Sequence, residues 1–198
     1  MSRLLLVRHG QSTWNAEGRW QGQADPPLSE LGQRQAAVAV DALPSVDVVI
    51  SSTLERAAHT AGILADGLGM AVEQRFVEWS ERHAGEWQGL TRSEIDDRYP
   101  GYLEDDRRPP GYEDDTTLLR RTLRGIEQVT HIVGDRTAVV VTHGGVIYTL
   151  EARFGVSAGR IPNLGGRWLC VQPGGLTLGP RVVLIDHESV EVSVPDQI

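Results

Sequence analysis

The chain has 198 residues, 40% of them hydrophobic and 23% charged, the balance of a globular protein and not of a disordered one. Its formal net charge of −8 excludes a nucleic-acid binder held by bulk electrostatics, so any anionic ligand needs cations gathered locally. The lone cysteine, Cys170, has no partner for an internal disulfide and reads as a buried structural thiol; no run is long and apolar enough to span a membrane, so a cytoplasmic protein is expected.

Leu4-Leu5-Leu6-Val7 reads as a core strand that stops at Arg8-His9-Gly10. From Gln11 to Pro27 the chain is punctuated by Gly and Pro and reads as loop. Ser29 is the predicted cap of a helix to about Ala42, with Leu28, Gly32, Ala36, Ala39 and Leu43 on its packed face and Pro44 as its stop. A second strand is expected over Val46–Ile50. The helix after it carries Arg56 in its first turn and closes near Gly67-Leu68-Gly69. A weaker strand falls at Met70–Val72, followed by a loop from Glu78 to Gly89. Thr91, with Glu94 three residues on, forms a capping box for a short helix to Tyr99. The charged, Pro-rich stretch to Asp115 reads as an excursion, making residues 79–115 a lid over the active edge of a single domain spanning 1–198.

Thr116 or Thr117 is the expected cap of the longest helix, with Leu119, Leu123, Ile126, Val129 and Val133 as its buried stripe and Arg120, Arg121 and Arg124 on the other faces. Ala138–Thr142 is the most strand-like run. It ends at His143-Gly144-Gly145, where a helix begins with Val146, Ile147, Leu150 and Phe154 inward. Strand candidates at 168–171, 182–185 and 190–194, separated by Gly and Pro turns, imply some antiparallel pairing at the C-terminal edge. These tail strands either finish the sheet or pair with a second copy in a homodimer.

Strand and helix in alternation imply a three-layer α/β/α fold with a mostly parallel central sheet, and right-handed crossovers bring the strand ends to one edge. Three of those ends carry chemistry: Arg8-His9, Arg56 and His143. Two guanidiniums and two imidazoles in an acidic chain suit phosphate, because guanidinium forks match its oxygens in pairs. The helix opening at Gly144 adds free amides and a positive dipole end.

Arg8-His9-Gly10-Gln11-Ser12 with Trp14-Asn15 resembles the signature of the histidine phosphatase superfamily, the phosphoglycerate-mutase-like enzymes. The resemblance continues through Gln21-Gly22, Leu28–Gln33, Ser51–Ala57, Glu81-Arg82-His83 with Gly85 and Gln88-Gly89-Leu90, and Thr142–Gly145. It implies a phosphoglycerate-mutase-like fold and a phosphatase acting on a small phosphorylated metabolite, with no cofactor and no metal. By the same resemblance His9 is the nucleophile that forms phosphohistidine and Glu81 the general acid and base. Arg8, Arg56, His143 and Gly144 hold the phosphate, while Asn15, Gln21 and Gly22 line the mouth. Arg82 and His83 read equally as substrate contacts or solvated rim. Two departures from the mutase pattern favour a phosphatase: Ala84 stands where the mutases have tyrosine, and the segment after Gly89 is shorter. Arg107-Arg108 echoes a mutase arginine pair and points to a substrate with an extra acidic group. A phosphoglycerate-type mutase and an inactive relative that binds phosphorylated ligands are the alternatives.

Overall fold

The computed structural model describes residues 1–195. Its centre is one six-stranded sheet built from β1 (Ser2–Arg8), β2 (Val48–Ser52), β3 (Val72–Phe76), β4 (Thr137–Thr142), β5 (Gly165–Gln172) and β6 (Gly175–Val183), in the order β3-β2-β4-β1-β5-β6. The β1–β4, β2–β4 and β2–β3 pairs are parallel, whereas β1–β5 and β5–β6 are antiparallel. Parallel strands are buried on both faces and favour continuous apolar runs, as in Leu4–Val7 and Ala138–Val141, all with no exposed surface.

The helices are α1 (Thr13–Ala16), α2 (Glu30–Ala39), α3 (Glu55–Gly67), α4 (Arg92–Arg98), α5 (Asp115–Val133) and α6 (Gly144–Arg153). Alternate residues of each strand serve opposite layers. Leu4, Leu6, Ile50, Ala138 and Val140 pack with α5 and α6, while Leu5, Val7, Val49, Val139 and Val141 pack with residues of α2 and α3. A smaller aromatic core is drawn from residues 84–112 and Trp20: Trp20, Ala84, Trp87, Leu90 and Ile95 gather Tyr99, Tyr102 and Tyr112.

Several expectations need correction. Within the stretch read as loop, Ser12 caps α1 through a reciprocal bond with Asn15, a box built from Asn that the Glu/Gln pattern does not flag. The third strand lies at Val72–Phe76 instead of 70–72, because it forms the sheet edge, with Glu73, Gln74 and Arg75 all exposed, and carries no apolar run. Asp114, not a threonine, caps α5 by accepting the Thr117 amide at 2.8 Å. The fully buried stripe of α5 runs through Leu118, Thr122, Gly125, Ile126, Val129 and Val133, with Leu119 and Leu123 only partly buried. Residues 190–194 form no strand. Their carbonyls bond instead to Gln35 Nε2, at Glu191, and to the Asn163 amide, at Ser193. Cys170 is half-buried instead of buried, on β5 opposite Thr177 of the edge strand β6.

Candidate active site

The site begins with the register of two neighbouring strands. Arg8 of β1 lies opposite Thr142 of β4, so the residues that follow, His9 and His143, emerge side by side. Their ring centroids are 5.1 Å apart at an interplanar angle of 61°. The His9 amide donates to Thr142 O at 3.0 Å, and its carbonyl accepts from Asn163 Nδ2 at 2.8 Å, which fixes the backbone on both sides.

His9 Nδ1 lies 2.6 Å from Gly10 O, an oxygen that can only accept. The proton is therefore assigned to Nδ1, and Nε2 carries the lone pair. Arg56 Nε donates toward that lone pair at 3.3 Å. Burial, followed by the Arg56 and Arg8 guanidiniums, holds His9 well below the ordinary imidazole range. The same causes, burial first and then Arg56 and His9, keep His143 neutral.

Arg56 is placed by the strand-to-helix turn from β2 into α3 and is fully buried. Its Nη1 donates to Ala24 O and its Nη2 to Gly22 O, both at 2.8 Å. Burial lowers its pKa to about 10, so it remains a cation at neutral pH. Gly22 has φ +54°, and a Cβ there would lie 2.5 Å from Gln88 Oε1 and 2.7 Å from the Ala84 amide; only glycine fits this turn. Arg8 is fixed at its far end by Nη1 donating to Ile161 O at 2.8 Å.

His143 is the residue that precedes α6. Ser52 Oγ accepts the Leu54 amide at 3.2 Å and lies 2.9 Å from His143 Nε2; with the hydroxyl proton directed there, the imidazole proton is assigned to Nδ1. Among the described residues, neither His143 Nδ1 nor Arg8 Nε has a hydrogen-bond partner, although both are buried. Orphaned buried donors are costly, and a pair of them beside a nucleophilic nitrogen marks a place built for an anion.

Glu81 reaches the same place from the loop after β3. Its carboxylate accepts the Gly145 amide at 3.1 Å, in the first turn of α6, and the Arg82 amide at 2.7 Å. Gly145 is required here because a Cβ would run into the Glu81 carboxylate.

The remaining predicted residues divide in two. Asn15, Gln21 and Gly22 underlie the site. Asn15 Oδ1 accepts the Ser12 amide at 3.3 Å, Gln21 Oε1 accepts Ser12 Oγ at 2.7 Å, and Gly22 O holds Arg56. Arg82 lies outward, bonded to Asp115 at 2.6 Å, Glu113 O at 2.8 Å and Thr149 Oγ1 at 3.2 Å. It lines a cavity of about 360 Å³ with Arg108, Tyr112, Tyr148 and Gly145. Arg108 pairs with Asp106 at 2.5 Å there, whereas Arg107 turns away onto the Tyr102 ring and Asp105. Asn163 and Thr60, whose Oγ1 accepts the Gly10 amide at 3.1 Å, go unmarked in the sequence, where Ser52 stands only inside a block with no role; their contacts cross 50 to 154 residues. Arg121, on a face of α5 expected to be solvated or to bridge, is a bridge: it bonds to the loop that carries Glu81.

Among the described residues, no three His, Cys, Asp or Glu side chains group so as to hold a metal ion, and no helix is long and apolar enough to cross a membrane. Comparison with known proteins adds lineage to this geometry. The chain is 38% identical over 181 residues to glucosyl-3-phosphoglycerate phosphatase of Mycolicibacterium vanbaalenii, covering 83% of this chain and 79% of that protein. It is 33% identical over 175 residues to metal-independent phosphoserine phosphatase of Arabidopsis thaliana, covering 82% and 74%. Among solved structures, Bacillus stearothermophilus YhfR superposes with a TM-score of 0.81 at 27% identity, over 90% of this chain and 95% of the other. A mycobacterial glucosyl-3-phosphoglycerate phosphatase in complex with VO3 gives 0.77 at 30% identity, over 89% and 96%. The family profile matches residues 4–171, and the chain belongs to the histidine phosphatase superfamily, branch 1.

Proposed function

We propose that the chain hydrolyses a small phosphomonoester through a phosphohistidine on His9. The observation that carries this reading is the lone pair on the buried His9 Nε2, set among Arg56, Arg8 and the unpartnered donors Arg8 Nε and His143 Nδ1. In the first step Nε2 attacks phosphorus, the bond to the ester oxygen breaks, and that oxygen takes a proton from Glu81. In the second, Glu81 takes a proton from water, the resulting nucleophile attacks phosphorus, and the P–Nε2 bond breaks to free phosphate and His9. Arg8, Arg56, His143 and the Gly144 amide at the start of α6 stabilise the equatorial oxygens, where charge accumulates in a loose transition state. The guanidiniums supply the positive charge, and no step needs a metal.

Residues 79–115 serve as the lid of this single domain, and their separate aromatic core supports that role. The cations gathered locally in an acidic chain support a small phosphorylated metabolite as substrate, and both curated relatives above are phosphatases. The half-buried lone Cys170 is at home in the reducing cytoplasm, where we place the enzyme. Ala84 is buried beside Trp20 and Trp87 and brings no hydroxyl to the mouth, and Arg107 is committed to Asp105 and Tyr102; both favour hydrolysis over mutase chemistry.

The test is phosphate release from a panel of phosphorylated metabolites, alongside a mutase assay with 3-phosphoglycerate and a bisphosphate primer, each with a His9→Ala control. Free phosphate that disappears in His9→Ala is expected. Release unaffected by His9→Ala, or mutase product without free phosphate, overturns the proposal.

A further inference from the structure

The backbone before Glu81 is a single 3-10 turn, Val77–Trp79, and among the described residues no backbone amide donates to the carbonyls of Glu78, Ser80 and Glu81; carbonyls shielded from water need donors. Arg121, reaching over from α5, supplies them. Its Nη1 donates to Glu78 O at 2.9 Å and Ser80 O at 2.5 Å, and its Nη2 donates to Glu81 O at 2.9 Å. The other two N–H groups form a fork with Glu113: Nε to Oε1 and Nη2 to Oε2, both at 2.8 Å. All five guanidinium donors are thereby used, a set that a lysine cannot match.

Glu113 extends the same arrangement beyond the acid. Its carboxylate also accepts the His83 amide at 3.2 Å, its own amide donates to His83 O at 2.9 Å, and its carbonyl takes Arg82 Nη1 at 2.8 Å. Burial pushes its carboxyl up, but the Arg121 hydrogen bonds and charge outweigh this, so Glu113 stays an anion. Residues on both sides of Glu81 are therefore tied to one ion pair. The side chains of that pair are only 11% and 10% exposed.

Among the described residues the Glu81 carboxylate has two protein partners, the amides of Gly145 and Arg82. Its aim depends on where the backbone is held. We infer that Arg121 and Glu113 are positioning residues that set Glu81 for proton transfer, an inference that rests on the general acid and base role proposed above. Proton transfer requires heavy atoms within about 2.6–3.2 Å, and misplacement by about 1 Å costs on the order of 10²-fold in rate.

A merely structural role predicts equal losses on all substrates; a positioning role does not. An alkyl phosphate has a poor leaving group that needs the acid, whereas an aryl phosphate with an acidic phenol departs with little help. The experiment measures kcat/KM, which reports the steps up to release of the leaving group, for both esters in Arg121→Gln, Glu113→Gln and Arg121→Lys, with Glu81→Gln in parallel and thermal melts of each. The expected result is a loss of roughly 10²-fold or more on the alkyl ester and tenfold or less on the aryl ester, with partial recovery in Arg121→Lys. Glu113→Gln keeps its size and one acceptor oxygen, and it carries the test if Arg121→Gln fails to fold. Equal losses on both esters, or no loss, in the Arg121 and Glu113 variants while Glu81→Gln discriminates between them overturn the positioning role alone. Equal losses in Glu81→Gln overturn the acid assignment and this inference with it.

Discussion

A histidine can attack phosphorus only while its reacting nitrogen is unprotonated, and the surroundings of His9 secure this. Gly10 O accepts the Nδ1–H and fixes the tautomer, while burial and the Arg56 and Arg8 charges oppose the imidazolium. The same arrangement has a cost in acid. The pKa values of His9 and His143 lie well below the ordinary value near 6.5, and the unfolded chain recovers that value. Below about pH 6.5 the unfolded state thus binds more protons than the folded one, and stability falls as pH drops. The loss is at most about 1.4 kcal/mol per pH unit for each imidazole. Urea unfolding between pH 7.5 and 5 should show this slope, and His143→Asn should reduce it; a slope unchanged in that variant contradicts buried neutral imidazoles. Arg8, His9 and Arg56 were legible because three ends that carry cations or imidazoles converge on one edge and the blocks around them keep the order of the resemblance. Asn163 and Thr60 were not, since each reaches the site by hydrogen-bonding a backbone atom far away in sequence.

Elements were legible where caps and apolar spacing agree. Ser29 caps α2 and Thr91 forms its box with Glu94, both as the sequence indicated. On α5 the two signals diverged. Thr122 and Gly125 sit in the buried stripe, and a hydrophobic count passes over both. Gly125 is small because Trp79 packs on it, with a Cβ there only 3.1 Å from Trp79 Cε2. That contact joins α5 to the segment leading to Glu81. The corrected stripe makes a distinction that melts can read. Leu118→Ala should cost about 2–5 kcal/mol and Leu119→Ala clearly less, because Leu118 has no exposed surface and Leu119 is only partly buried. Asp114→Ala should cost about 1 kcal/mol through loss of the cap. Equal losses at 118 and 119 would place the helix in a different rotation.

At the scale of the molecule, strand order is what turns separate motifs into a site. Placing β4 between β1 and β2 sets His143 beside His9 and within reach of Ser52. The sequence indicated which ends carry chemistry and that they share an edge, but the order came only with the structure. It depends on which strand each helix crosses, and no local pattern records that. The tail was legible only in part: the β5–β6 pairing follows the turn residues, whereas 190–194 looks strand-like by composition yet meets no strand. The fold buries a neutral imidazole among guanidiniums in a chain of net charge −8, an expense explained by an anion passing through a covalent state there. The most direct test is to quench the reaction with a slowly hydrolysed phosphoester in base and analyse peptides by mass spectrometry. An added phosphoryl group on His9, stable in base, lost in acid and missing from His9→Ala, is the predicted result. Turnover with no phosphoryl group on His9, or labelling that persists in His9→Ala, would contradict the account.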